Sequence, residues 1–319
     1  MSKFTVLATP RSFAKNDPAP LNLLENSGCS VIRLPIGGGD LHQQLLEYLP
    51  QADAVIAGLE EYDASMLKLA KKLKVISRYG VGYDKIDLEA AAAQGIKITN
   101  TPGTNGDSVA DLAMALMLCA ARQVCHMDRV IRGGGNDRPV TGVEMWKKTL
   151  GVIGTGRIGK GVVERAMGFQ MKVLAYDAYP DQAFIEAHNG SYVDLDTLFQ
   201  QADFITLHAP LTEETRHLVN AKRLAQMKPR AVLVNTARGE IIDENALYQA
   251  LKENTIGAAG LDVTVTEPPC GSPLATLQNC VLTPHAGAST HEASYNMGML
   301  AAQNALDILK DQPCNFVIR

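Results

Sequence analysis

Four short stretches of this chain carry residue types that can bind and convert a small anionic ligand. The first is Gly154-x-Gly156-x-x-Gly159, directly after the apolar run Thr149–Ile153 and directly before a helical stretch. In such a turn the first glycine makes the bend, the second lets a pyrophosphate approach the backbone, and the third lets helix pack on strand. The helix N-terminus then offers free N–H groups and the positive end of its dipole to the phosphates. The following apolar run ends in Asp177. A carboxylate there accepts from the adenosine ribose hydroxyls and repels a 2′-phosphate, which favours NAD over NADP.

The other three are Asn235-Thr-Ala-Arg238-Gly, Leu261-Asp262-Val-Thr-Val-Thr-Glu267-Pro and Thr283-Pro-His285-Ala-Gly. Each puts an ionisable side chain just past the end of a β-branched run. In open parallel sheets that is the edge where ligands bind. Taken singly, an arginine and a glutamate make a surface ion pair of under ~1 kcal/mol, and a histidine after a strand is structural. Together, downstream of a cofactor turn, they read as one site.

Positioning these stretches requires a layered α/β architecture. Phe4–Ala8, Ser30–Leu34, Ala54–Ala57, Val75–Tyr79 and Lys97–Thr99 read as strands, with helices over Leu41–Leu49, Ala64–Lys71 and Leu88–Gln94. After a long helix near Ser108–Gln123 come six further strands: Thr149–Ile153, Lys172–Tyr176, Phe204–His208, Ala231–Asn235, Ala258–Leu261 and Cys280–Leu282. Strand–helix alternation means parallel pairing with right-handed crossovers. Arg132–Gly142 reads as an exposed loop. Thr290–Leu309 has apolar residues at helical spacing and carries the chain back toward the first domain.

Composition narrows the classes. The 319 residues suffice for two domains, and 46% hydrophobic with 20% charged residues describes a soluble globular chain. A net charge of −4 gives no electrostatic footprint for nucleic acid. The longest apolar run, Leu112–Ala121, is far short of the ~20 residues a membrane span needs. Cys29, Cys119, Cys125, Cys270, Cys280 and Cys314 form no Cys-x-x-Cys pair, so neither a disulfide framework nor a metal site is expected, and a reducing cytoplasm is. His42, His126, His188, His217 and His291 lack supporting context and read as solvated or structural.

From Val75 to Ala302 the chain resembles the D-2-hydroxyacid dehydrogenase family, above all its 3-phosphoglycerate-dehydrogenase-like members. The resemblance lies in Ser77-Arg-Tyr-Gly-Val-Gly-Tyr-Asp84, Asn100-Thr-Pro-Gly-Thr-Asn105, the glycine turn, His208-Ala-Pro-Leu-Thr-Glu-Glu-Thr215, and the Arg238, Glu267 and His285 segments. It implies an α/β protein of two doubly wound parallel-sheet domains. A Rossmann NAD-binding domain, residues 101–287, would be inserted into a flavodoxin-like substrate domain, residues 1–100 and 288–319. It further implies NAD-dependent hydride transfer at C2 of a 2-hydroxy or 2-keto acid. His285 would be the general acid–base, suited by a pKa of ~6.5. Glu267 would orient its imidazole and favour the protonated form. Arg238 would grip the substrate carboxylate with its planar fork.

The same resemblance places the Val81 and Gly82 N–H groups on the substrate carboxylate, with Asn105 nearby. Arg157 and Ile158 would lie against the pyrophosphate, and Ala209, Pro210 and Thr215 around the adenosine. His208 either joins them or is a strand-end residue without contact. Thr236, Ala237, Asp262 and Gly287 would flank the nicotinamide. Family members are typically homodimers joined through their cofactor domains, and the Leu112–Ala121 helix with the Arg132–Trp146 loop is a contact candidate, unless that helix is buried in its own subunit.

Departures from the family pattern bear on the substrate. Lys147, Arg230 and Thr264 stand where glycine, glycine and an aromatic are usual. Ala57-Gly-Leu-Glu-Glu61 stands where phosphoglycerate dehydrogenases carry an arginine for the substrate phosphate, leaving Arg78 as the phosphate partner on offer. No regulatory domain follows within the 319 residues, so serine feedback is not expected. The substrate stays open between 3-phosphoglycerate and an unphosphorylated acid of the glyoxylate or hydroxypyruvate kind. The competing reading from another class is an NAD-sensing corepressor-like binding protein.

Overall fold

The computed structural model describes residues 3–136 and 140–318. Its contacts divide the chain into two compact units, Met1–Asn105 with Ser289–Arg319, and Gly106–Ala288.

In the first unit β1 (Phe4–Ala8), α1 (Ala19–Asn26), β2 (Cys29–Arg33), α2 (Leu41–Tyr48), β3 (Ala54–Ala57), α3 (Ala64–Leu67), β4 (Val75–Arg78), α4 (Leu88–Ala93) and β5 (Lys97–Thr99) follow in order. The strands pair in parallel as β2-β1-β3-β4-β5. Every residue of β3 and β4 is buried, the mark of a parallel sheet covered on both faces. Asp40, Asp63 and Asp87 start α2, α3 and α4 by accepting the N–H of Gln43, Met66 and Ala90. Helix α1 was not expected. Pro18 and Pro20 look like breakers, but proline at the first turn is compatible with a helix start.

The second unit opens with α5 (Gly106–Arg122) and α6 (Val124–Arg132). Then come β6 (Thr149–Ile153), α7 (Arg157–Met167), β7 (Lys172–Tyr176), α8 (Gln182–Ala187), β8 (Gly190–Tyr192), α9 (Leu195–Gln201), β9 (Phe204–Leu207), α10 (Ala221–Gln226), β10 (Val232–Asn235), α11 (Glu244–Lys252), β11 (Ala258–Leu261) and β12 (Cys280–Leu282). The strand order is β12-β11-β10-β9-β6-β7-β8, all parallel. The sheet therefore has seven strands, one more than expected. The extra strand, β8, is three residues long and only half buried, so it carries no apolar run to announce it.

Helix α5 buries Val109, Ala110, Ala113, Met114, Leu116, Met117, Ala120 and Ala121 within its own unit. The Leu112–Ala121 stretch is thus mainly core. Gln123 breaks the helix with a left-handed backbone, and the chain then forms α6, which was not expected, ahead of the expected loop at Arg132–Gly142. No residue of α6 is buried, and Ile131 is 66% exposed. Residues 137–139 of the expected loop lie outside the described residues. No single helix among the described residues is long and apolar enough to cross a membrane.

The chain returns to the first unit through α12 (His291–Leu309), capped by Thr290. The helix lays Ala293, Met297, Ala301, Ala305 and Leu309 into that unit's interior, where Ser77 Oγ donates to Ala301 O at 2.8 Å.

Candidate active site

The second sheet ends in a single row. Tyr176, Ile153, Leu207, Asn235, Leu261 and Leu282 are register partners across six adjacent strands. The residues that follow each, Asp177, Gly154, His208, Thr236, Asp262 and Thr283, therefore emerge along one edge. The strand order reverses between β6 and β9.

At that point Gly154 bends the chain with φ +92°. A Cβ on Gly159 would lie 2.0 Å from Gly154 O, so helix α7 can only sit this close without one. A Cβ on Gly156, by contrast, would meet nothing within 4 Å. Gly156 caps α7 and no side chain satisfies the helix's first N–H groups. Those of Arg157 and Ile158 belong to this unsatisfied turn. The space open at Gly156, together with uncapped N–H donors, fits a pyrophosphate.

Asp177 stands beside this cradle, with Oδ2 accepting from Thr155 N–H at 2.6 Å and Thr155 Oγ1 at 3.0 Å. Its Oδ1 accepts from Tyr179 N–H at 2.8 Å. A carboxylate has about four acceptor positions, so one remains, on Oδ1, for a ribose hydroxyl. Thr155 also pairs with Tyr192 Oη at 2.7 Å, which gives the unexpected strand β8 a role in holding Asp177.

Across the switch, His208 is paired through its ring nitrogens with Thr206 Oγ1 at 2.9 Å and Thr236 Oγ1 at 3.3 Å. Burial lowers its pKa to about 3, so the ring is neutral near pH 7 and cannot serve as a proton store. The His208–Ala209 backbone presses on the glycine turn, where a Cβ on Gly154 would meet Ala209 N at 2.5 Å. Thr215 Oγ1 donates to Pro210 O at 2.7 Å and shapes the loop beyond.

The three ionisable segments leave adjacent strands. After β10, fully buried Asn235 accepts Ala237 N–H at 2.9 Å and donates to Arg238 O at 2.7 Å. Arg238 Nη1 donates to Ala237 O at 2.7 Å. A Cβ on Gly239 would meet Thr264 C at 2.2 Å, so the segment after β11 rests on the residue next to Arg238. That segment leads to Glu267, whose Oε2 lies 2.9 Å from His285 Nδ1. Both side chains are about one quarter exposed, at 23% and 25%. The imidazole is thereby oriented through Nδ1, leaving Nε2 as its proton-exchanging atom.

Asp262, 2% exposed, holds the His285 turn. Its Oδ1 accepts from Thr283 Oγ1 at 2.6 Å and Ala286 N–H at 2.7 Å, and its Oδ2 accepts from Gly287 N–H at 2.8 Å. Most of its acceptor capacity is thus used inside the protein. Asn235, Thr155 and Tyr192 were not singled out in the sequence. Thr155 left a signal as the residue between two motif glycines, and Asn235 as the residue that opens the Arg238 stretch; Tyr192 left none.

In the first unit, Val81 is 39% exposed and its carbonyl accepts from Asn100 Nδ2 at 2.9 Å. Among the described residues neither the Val81 nor the Gly82 N–H donates to another group, as an anion-binding loop requires. Asn105 is half buried at the end of the same unit. Arg78 is only 8% exposed and directs Nη1 to Ala57 O at 3.1 Å and Tyr79 O at 2.9 Å. Through that nitrogen it ties two strand ends together. Among the remaining histidines, His188 stacks on Phe184 and pairs with its carbonyl, a structural contact.

Comparison with known proteins adds three kinds of likeness. A model of the D-isomer specific 2-hydroxyacid dehydrogenase NAD binding domain matches residues 114–287. A glyoxylate reductase of Thermococcus litoralis is 43% identical over 283 residues, covering 86% of each chain. A D-3-phosphoglycerate dehydrogenase of Methanocaldococcus jannaschii is 43% identical over 301 residues, 93% of this chain and 57% of that one. This chain thus spans little more than half of that second relative. Among solved structures, the apo D-lactate dehydrogenase of Escherichia coli matches with a TM-score of 0.86 at 30% identity, covering 99% of this chain and 100% of that one.

Proposed function

Because this chain belongs to the D-2-hydroxyacid dehydrogenase family, with NAD as its cofactor, we propose that it interconverts a small 2-keto acid and its 2-hydroxy acid through Arg238, Glu267 and His285. The observation that carries this reading is the 2.9 Å contact between His285 Nδ1 and Glu267 Oε2, which follow β12 and β11, the two strands beyond the one that Arg238 follows. Bound NAD supplies the hydride acceptor in oxidation and, when reduced, the donor.

The residues of the chain do the rest. Arg238 binds the substrate carboxylate and polarises the C2 oxygen. His285 Nε2 gives a proton to that oxygen in reduction and takes it back in oxidation. Glu267 fixes the ring and stabilises its charged form. The unengaged N–H groups of Val81 and Gly82, with Asn105, are assigned to the substrate's carboxylate end. Gly106–Ala288 is assigned as the NAD-binding domain and the other unit as the substrate domain.

On the cofactor side, the α7 N-terminus with Arg157 and Ile158 takes the pyrophosphate. Asp177 takes the adenosine ribose, with Ala209, Pro210 and Thr215 beside the adenosine. Thr236, Ala237 and Gly287 line the nicotinamide side, Asp262 acting there through the turn it holds.

Turnover tests the reading directly. NADH should be consumed with a 2-keto acid such as glyoxylate or hydroxypyruvate, and His285→Ala and Arg238→Ala should each lower kcat/KM by at least a hundredfold. Full activity of His285→Ala would refute the proton-transfer role, and a preference for NADPH would refute that of Asp177. If no 2-keto acid is reduced while NADH still binds, the corepressor-like reading takes its place.

We also infer a homodimer in a reducing cytoplasm. The exposed apolar residues Val124 and Ile131 of α6 suit a second copy, and the described cysteines are all free thiols. A monomeric mass by light scattering at micromolar concentration would refute the dimer.

A further inference from the structure

Strand β8 brings Tyr192 alongside β7, where its register partner is Ala175, two residues before Asp177. The half-buried phenol meets two groups there. The Asp181 N–H lies 2.9 Å from Tyr192 Oη, and Thr155 Oγ1 lies 2.7 Å from it. A backbone N–H can only donate, so Tyr192 Oη accepts from Asp181 and has its own proton to give to Thr155. Thr155 Oγ1 in turn donates to Asp177 Oδ2 at 3.0 Å, since an ionised carboxylate only accepts. Each hydroxyl accepts on one side and donates on the other. The protons therefore point along one path, from Asp181 through Tyr192 and Thr155 to Asp177.

Both ends of the path are held. Asp181 starts α8 by accepting the Phe184 N–H at 3.2 Å, and its Oδ2 pairs with Lys160 Nζ from α7. Thr155 is buried in the glycine turn, and its N–H also goes to Asp177 Oδ2, at 2.6 Å. Two donors thus fill Oδ2, while Tyr179 N–H sits on Oδ1 at 2.8 Å. Hydrogen bonds in such a chain polarise one another, and a fully satisfied network holds one arrangement better than isolated bonds do. The acceptor position left over is on Oδ1, so a ligand hydroxyl meets a carboxylate that is already fixed.

We propose that Tyr192 is a positioning residue for the dinucleotide: acting through Thr155, it holds Asp177 in the rotamer that takes the adenosine ribose and turns away a 2′-phosphate. The inference rests on the proposed assignment of Asp177 to that ribose. Without the phenol hydroxyl, Thr155 Oγ1 loses its incoming donor and is free to rotate. Asp177 Oδ2 then keeps only the Thr155 N–H as a fixed donor. A carboxylate held by fewer donors grips the ribose less well and can swing away from a 2′-phosphate.

Cofactor titration without substrate, read by the fluorescence of NADH and NADPH, tests this. It is run on the native protein, Tyr192→Phe, Thr155→Val, the double variant and Asp177→Ala. Tyr192→Phe keeps the ring and should raise the Kd for NADH at least threefold. It should also narrow the native preference for NADH over NADPH by at least as much. Because the two hydroxyls act in series, adding Tyr192→Phe to Thr155→Val should change the Kd for NADH by less than twofold. A native NADH-to-NADPH ratio in Tyr192→Phe, whatever its melting temperature, overturns the proposal. So does a double variant whose loss is the product of the two single losses. If Asp177→Ala binds NADH as the native protein does, the assignment of Asp177 itself fails, and this proposal with it.

Discussion

His285 donates its backbone N–H to the carbonyl of Asp262 at 2.8 Å, and the carboxylate of the same aspartate takes the N–H groups of the next two residues. One buried residue thus grips three consecutive amides. The grip answers a local cost: His285 has φ +53°, in the left-handed region that disfavours a side chain by ~1–2 kcal/mol. Such a conformation persists only where its surroundings over-determine it.

Asp262→Asn tests this relationship with minimal change of shape. The amide oxygen can still accept from Thr283 and Ala286, but its NH2 then faces the N–H of Gly287. Losing a charged acceptor in a buried site costs about 1.5–3 kcal/mol. The melting temperature should fall accordingly. kcat should drop at least tenfold as the imidazole loses its aim, with a smaller change in the KM for NADH. Native kcat in this variant would show that the turn holds His285 without the carboxylate.

The glycine turn makes a separable prediction, because its second and third glycines are needed for different reasons. Alanine at Gly156 meets no protein atom within 4 Å, so Gly156→Ala should cost under about 1 kcal/mol, the price of a poorer helix cap. It should nonetheless raise the KM for NADH at least tenfold, since the methyl group occupies the space assigned to the pyrophosphate. Alanine at Gly159 meets Gly154 O at 2.0 Å and should destabilise the fold by ~1–3 kcal/mol through overpacking. Thermal unfolding and cofactor titration of the two variants check the split. Equal loss of stability in both would sink the assignment.

How much of this was legible in the sequence depended on how local each signal is. The glycine turn and Asp177 announce themselves because a strand, a bend and a helix start must follow one another within a few residues. Arg238, Glu267 and His285 could be grouped because each follows an apolar run that pairs in the same parallel sheet. Strand β8 was not legible: Gly190-Ser-Tyr192 has neither apolar periodicity nor length, and it forms by pairing with β7. Asp262 was legible as an aspartate at a strand end, but not as the residue holding the turn 21 to 25 positions later. The carbonyl partners of Arg78 Nη1 were likewise not legible, since burial of a charged side chain is a tertiary fact. Lys147 shows the converse, with φ +58° explaining why glycine is the easier residue before this strand.

The last prediction concerns acid stability and His208. Burial holds its folded pKa at about 3, against ~6.5 for an unperturbed histidine. The native state therefore binds fewer protons here than the unfolded chain between about pH 3 and 6.5. Stability must rise with pH across that window and be fully present above it. At pH 5 the unfolded chain gains about 1–2 kcal/mol from this proton, the lower end allowing for the residue's partial contact with solvent. His208→Asn removes the titrating ring while leaving polar atoms for Thr206 and Thr236. Its neutral-pH stability should fall, yet its loss of stability from pH 7 to pH 5 should be smaller than the native protein's by about that amount. Denaturant unfolding at both pH values measures the difference. Parallel pH profiles for the two proteins would place the proton uptake elsewhere and leave His208 without a part in acid unfolding.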